Sequence, residues 1–97
     1  MSAWNVVRFR VKPRQEQAFE DAHRDAGAFP GCRRVVLVRT GDHAWCVIGE
    51  WDSMADLVAA RPAMIRRLDG IRHLLEDLGH GLGLTDPVSG EAVLTLT

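Results

Sequence analysis

The sequence predicts an α+β domain in the order β-α-β-β-α-β, and three observations predict it. Residues 4–11 alternate with a period of two. Residues 32–39 and 43–51 form two apolar runs joined by a short link containing glycine. Segments of helical periodicity lie on either side of that pair, and a last β-prone run closes the chain. With 97 residues the chain is long enough for one domain, spanning 1–97, and too short for two.

In the first strand Asn5, Val7, Phe9 and Val11 alternate with Trp4, Val6, Arg8 and Arg10. The first set is the more apolar and is expected to meet the helices. The second carries two guanidiniums and needs water or a partner. Pro13 suits the first turn of a helix, where a missing N–H costs nothing. Ala18, Phe19, Ala22 and Ala26 then recur at helical spacing, so an amphipathic helix is predicted over 14–27, closed by Gly27 and Pro30-Gly31.

CRRVVLVR (32–39) and HAWCVIGEW (43–51) read as strands, and Thr40-Gly41-Asp42 makes them a hairpin. Their long apolar runs imply burial on both faces. Helices in so small a chain cover only one sheet face, so the other cover is expected from a second subunit, which makes the protein a homodimer. Cys46 is expected opposite residue 36 or 37. Cys32 is then more than ~10 Å away at ~3.4 Å per residue. A disulfide needs much closer Cα atoms, so two free thiols are predicted.

Ser53 with Asp56 resembles a capping box and starts a second helix. Pro62 is expected to break or kink it at Arg61. A further helical segment is predicted over 62–78, with Met64, Ile65, Leu68, Ile71, Leu75 and Leu78 as its apolar stripe. Residues 79–90 read as a glycine-rich loop, and EAVLTLT (91–97) as the last strand. The order is that of the ferredoxin-like fold, a four-stranded antiparallel sheet with helices on one face.

Composition narrows the function. A net charge of −1 with both signs dispersed disfavours nucleic-acid binding, and no run of about 18 apolar residues suggests a membrane span. The first residues lack the pattern of a secretion signal, so the cytoplasm is expected. The cysteine spacing fits no zinc pattern, and two scattered histidines, His43 and His80, make no metal site.

VVRFRVKP on the first strand, FPGCRRVVLVRTGDHAWCVIGEWDS across the hairpin and the broken helix around ARPAM carry a family likeness. Over nearly its whole length the chain resembles the antibiotic biosynthesis monooxygenase group of the dimeric α/β-barrel superfamily. The resemblance implies a homodimer pairing two sheets face to face, with a cavity between sheet and helices in each subunit. Some members oxidise polycyclic aromatic or quinol-like substrates with O₂, without metal or flavin; others degrade haem. The haem-degrading pattern wants a Trp and a His where this chain has Ala60 and Gly70, so haem cleavage is disfavoured.

The candidate site residues follow. Asn5 sits on the helix-facing side of its strand, where an unpartnered amide costs ~1–3 kcal/mol. It either bonds a ligand or lies at a frayed end. His23 borders the stripe of the first helix and is either a general base or a core border. Trp45 stacks on an aromatic ligand or packs in the core or the dimer interface. Arg72 holds an anion or a neighbouring acid, and Arg61 faces the cavity mouth or solvent. Phe9 and Met64 complete the expected lining.

The most concrete reading is a monooxygenase for a small aromatic or polyketide-like substrate, with no cofactor and no metal. Asn5 and Arg72 would stabilise the substrate anion, Trp45 would stack on it, and His23 would take the proton. The alternative is a non-catalytic ligand-binding or regulatory homodimer. A cavity of ~300 Å³ or more with converging polar groups favours the enzyme. A cavity filled by Phe9, Trp45 and Met64 favours the alternative.

Overall fold

The alternating segment forms the central strand. In the computed structural model, which describes residues 1–97, β1 (Ala3–Val11) pairs antiparallel with β3 (Ala44–Trp51), Ala3 opposite Trp51 and Phe9 opposite Trp45. β2 (Cys32–Gly41) lies outside β3. Two short strands lie end to end on the other edge of β1. β4 (Leu75–Glu76) pairs with its last residues and β5 (Asp86–Glu91) with Ala3 to Arg8. Five strands thus occupy four positions, in place of the four expected. The two helices are α1 (Glu16–Arg24) and α2 (Met54–Asp69). Burial follows the predicted parity: Ala3, Asn5, Phe9 and Val11 are buried, whereas Arg8 and Arg10 are exposed.

α1 is shorter than expected. Pro13 does not begin it, because Arg14 adopts a left-handed backbone (φ 69°) and separates the proline from the helix. Only Phe19 of α1 is buried; Ala18 and Ala26 are exposed. Glu16 at the helix start pairs with His43 of the β2–β3 turn. Its own backbone N–H first, and His43 beside it, hold the Glu16 carboxyl below the usual range.

The hairpin turns tightly through Asp42 and His43 between the paired Gly41 and Ala44, so Cys46 lies opposite Val38 and not 36 or 37. Cys32 lies opposite Trp51, five positions along β3 from Cys46 and therefore ~17 Å away. Both thiols are free. Burial raises the Cys32 pKa, and the Asp52 charge adds to this. Two thiols per chain are therefore expected to react with a disulfide reagent in denaturant, with Cys46 silent in the folded protein and Cys32 slow. A count below two in denaturant would reveal a bridge.

Ser53 caps α2 as expected, its Oγ accepting from the Asp56 N–H at 3.1 Å. The helix does not break at Pro62 but runs through it. The carbonyl left without an N–H partner is that of Val58, whose side chain is 45% exposed, so water can serve it. The helix ends at Asp69, where bonds from Gly70 to Arg67 and from Ile71 to Leu68 tighten the backbone. The chain then makes a 3₁₀ turn at Arg72–Leu74 and enters β4, so Ile71, Leu75 and Leu78 lie outside any α-helix.

The last strand also lies earlier than expected. Residues 86–91, including Pro87 and Gly90, pair with β1, while 92–97 have no regular structure. An edge strand tolerates a proline because one side of its ladder has no partner. The alternating tail pairs with no strand, and Val93, Leu94 and Leu96 are exposed.

The core is divided. Phe9, Val11, Phe19, Trp45, Leu74 and Leu75 form one cluster; Ala3, Trp51, Leu57 and Ala60 form another. On β1 the stretch between them is Asn5 to Val7.

Candidate functional site

Between the two clusters the helices stand off from the sheet and leave a cleft of about 1370 Å³. Ligand sites of roughly 300–1000 Å³ are typical, so the space is ample. Asn5, Val7 and Val47 line the sheet side. Arg61 and Met64 reach in from α2, and His23 from α1.

Alternation along β1 turns Asn5 toward the helices. It is 8% exposed. Its Oδ1 accepts from the Trp51 Nε1–H at 2.8 Å, and its Nδ2 has the Met64 sulfur at 4.0 Å. A thioether is a weak acceptor, so the amide N–H groups keep most of their donor capacity.

His23 is fixed by its own helix. Its Nδ1 lies 2.9 Å from the Phe19 carbonyl oxygen. A carbonyl only accepts, so in this arrangement Nδ1 carries the hydrogen, and Nε2 of the neutral ring is the proton acceptor. The imidazole packs edge-on to Phe19, with centroids 4.4 Å apart.

Phe9 and Trp45 line the cleft but also form its packed end. Phe19 meets Phe9 at 5.4 Å and Trp45 at 5.6 Å, both edge-on. The Arg39 guanidinium lies 5.9 Å from the Trp45 ring centroid. Trp45 Nε1 is buried with no acceptor, an arrangement that costs about 1–3 kcal/mol. At the mouth Arg61 donates from Nη2 to Ser89 Oγ of β5 at 3.2 Å.

Six of the seven predicted site residues, Asn5, Phe9, His23, Trp45, Arg61 and Met64, therefore line one cleft. Arg72 does not. Helical phase places it beside Leu68 and Leu75 only if the helix continues past Gly70. In the 3₁₀ turn it is exposed, and its Nε donates to Asp69 Oδ1 at 2.8 Å.

The sequence reading missed Trp51, the partner of Asn5. It also missed Arg67, whose guanidinium lies 3.8 Å from the centroid of the cleft-lining Phe29. No group of three His, Cys, Asp or Glu side chains converges in a metal-binding arrangement.

The fold has solved counterparts. A mutant of SnoaB, a cofactor-independent oxygenase from Streptomyces nogalater, superposes with a TM-score of 0.70 at 20% identity, covering 98% of this chain and 96% of that one. A protein of unknown function from Nitrosomonas europaea gives 0.74 at 18% identity, with 99% and 93% covered. A Mycobacterium tuberculosis protein gives 0.73 at 15% identity, with both chains fully covered. Curated proteins provide no match. At these identities the structures speak for the fold alone. The sequence itself goes further: the family model described as antibiotic biosynthesis monooxygenase matches residues 4–62, more than half of the chain. The β-α-β-β core with the first half of α2 is thus the matched part, and the chain belongs to the antibiotic biosynthesis monooxygenase family.

Proposed function

We propose that the cleft binds a small, electron-rich aromatic or polyketide-like molecule and that the protein oxygenates it with O₂, without a cofactor. The observation that carries this reading is an apolar cleft in which a held carboxamide donor, Asn5, and an imidazole with a defined acceptor nitrogen, His23, line the same space. SnoaB, of the same fold, is a cofactor-independent oxygenase.

In this reading Nε2 of His23 takes a proton from an acidic CH₂ of the substrate. Asn5 Nδ2 bonds the oxygen on which negative charge collects, and Arg61 replaces Arg72 as the guanidinium near that charge. The anion gives one electron to O₂, and the two radicals combine to form a C–O bond. The peroxide takes back the proton. Loss of water then breaks the O–O bond and leaves a carbonyl. One O₂ gives one C=O and one H₂O, with no external reductant.

The working unit is a homodimer in which the open sheet faces cover each other. On that face Val6 lies opposite Ile48 and Val88, and Ile48 opposite Val36; Val36 and Val88 are exposed in the single chain.

An oxygen electrode tests the activity with anthrone- and quinol-type substrates. Wild type is expected to consume O₂ above background. Asn5→Ala and His23→Ala are expected to lose about a hundredfold, and Arg72→Ala to retain full activity. No uptake with any substrate would remove the oxygenase reading. Binding without uptake would favour the non-catalytic ligand-binding dimer. That second reading draws on Phe9 and Trp45, which are 7% and 5% exposed and packed on Phe19.

A further inference from the structure

Asn5 and Trp51 lie 46 residues apart in sequence, and their hydrogen bond determines which end of the Asn5 amide the cleft receives. An indole N–H can only donate. The atom 2.8 Å from Trp51 Nε1 must therefore be the carboxamide oxygen, and the NH₂ must be the other end. That end has the Met64 sulfur at 4.0 Å; Asn5 and Met64 both line the cleft, whereas Trp51 does not. Trp51 is itself immobilised. It is 1% exposed, stacked on Phe29 with centroids 6.0 Å apart, and clustered with Ala3, Leu57 and Ala60.

Gly49 supplies the remaining condition. It is paired with Asn5 across β1 and β3, and it is not among the residues with positive φ, so its backbone is open to any side chain. Space is what it provides. A Cβ at this position would overlap Asn5 Oδ1 and lie 3.0 Å from Trp51 Nε1. Glycine within a strand marks such close approaches.

We infer that Trp51 is a positioning residue. Together with the vacancy at Gly49, it locks the Asn5 carboxamide so that its NH₂ faces the cleft, and the ligand is recognised there through an acceptor oxygen, a carbonyl or phenolate. The ligand part of this inference rests on the proposed reading of the cleft. The orientation of the amide does not.

Fluorenone and fluorene form a matched probe pair, nearly identical in shape and differing in one carbonyl oxygen. Wild type is expected to bind fluorenone more tightly and to lower its carbonyl stretching frequency. Trp51→Phe keeps a ring but removes the donor. Asn5→Asp keeps an acceptor for Trp51 but offers the cleft no N–H. Each is expected to weaken fluorenone by about tenfold, to return the stretch toward its value in an apolar solvent, and to change fluorene by less than about twofold. The double variant should lose no more than either single one, because both remove the same donor. If Trp51→Phe leaves the fluorenone-to-fluorene affinity ratio and the stretch at wild-type values, the inference is overturned. A purely structural role would lower both affinities together.

If neither probe binds wild type, the reading of the cleft fails, and side-chain amide NMR decides the orientation alone. Slow exchange of the Trp51 indole proton that becomes fast in Asn5→Ala supports the lock. Fast exchange in wild type refutes it.

Discussion

Replacing Phe19 with alanine is expected to cost about 3–5 kcal/mol, against a total of about 5–15 kcal/mol for domains in general. α1 has nine residues, too few to be stable alone. Phe19 is its only buried side chain, fully enclosed and edge-on to Phe9, Trp45 and His23. Removing the ring takes away transfer energy and leaves a void that a sheet and a short helix close poorly. His23 should lose its position with it, since the imidazole is held between the Phe19 ring and the Phe19 carbonyl. A urea titration reads the loss as a lower midpoint at unchanged slope. A midpoint within experimental error of wild type would mean that α1 is anchored elsewhere.

Ile48→Glu should have the second large effect, on association. Ile48 lies on the open face between Val6 and Val36, each its register partner on a neighbouring strand. A carboxylate there would lose its water against Val6 and Val36 in a sheet-to-sheet dimer, a loss that costs several kcal/mol even with the Arg8 guanidinium on the same face. Sedimentation equilibrium should find wild type dimeric at micromolar concentration and Ile48→Glu monomeric, each with a β-sheet circular dichroism signal. A monomeric wild type would refute the dimer, and a dimeric Ile48→Glu would exclude this face as its interface.

The facing of the first strand was legible because alternation is a local property. The period-two pattern of residues 4–11 places Asn5 and Phe9 toward the helices without knowledge of any other strand, whereas the hairpin, apolar on both faces, leaves the facing of Trp45 open. Errors arose where a period was extended past a break. The apolar spacing from Met64 to Leu78 looks helical throughout, yet Gly70 stops the helix, and Arg72 leaves the cleft with it. β5 and the tail show the same limit: 92–97 have the better strand propensity, but a strand also needs an edge to pair with, and 86–91 occupy that of β1. The Asn5–Trp51 bond was out of reach because it depends on register. Gly49 was the one local sign, a glycine inside a strand.

The divided core has a practical consequence. Two greasy anchors at opposite ends of β1, with a void between them, form an interior that a guest molecule would complete. Any compound that fits that void selectively strengthens the native state and raises the melting temperature in proportion to the logarithm of its concentration over its dissociation constant. Heating the protein against a chemical library thus tests for such a guest and presumes no reaction.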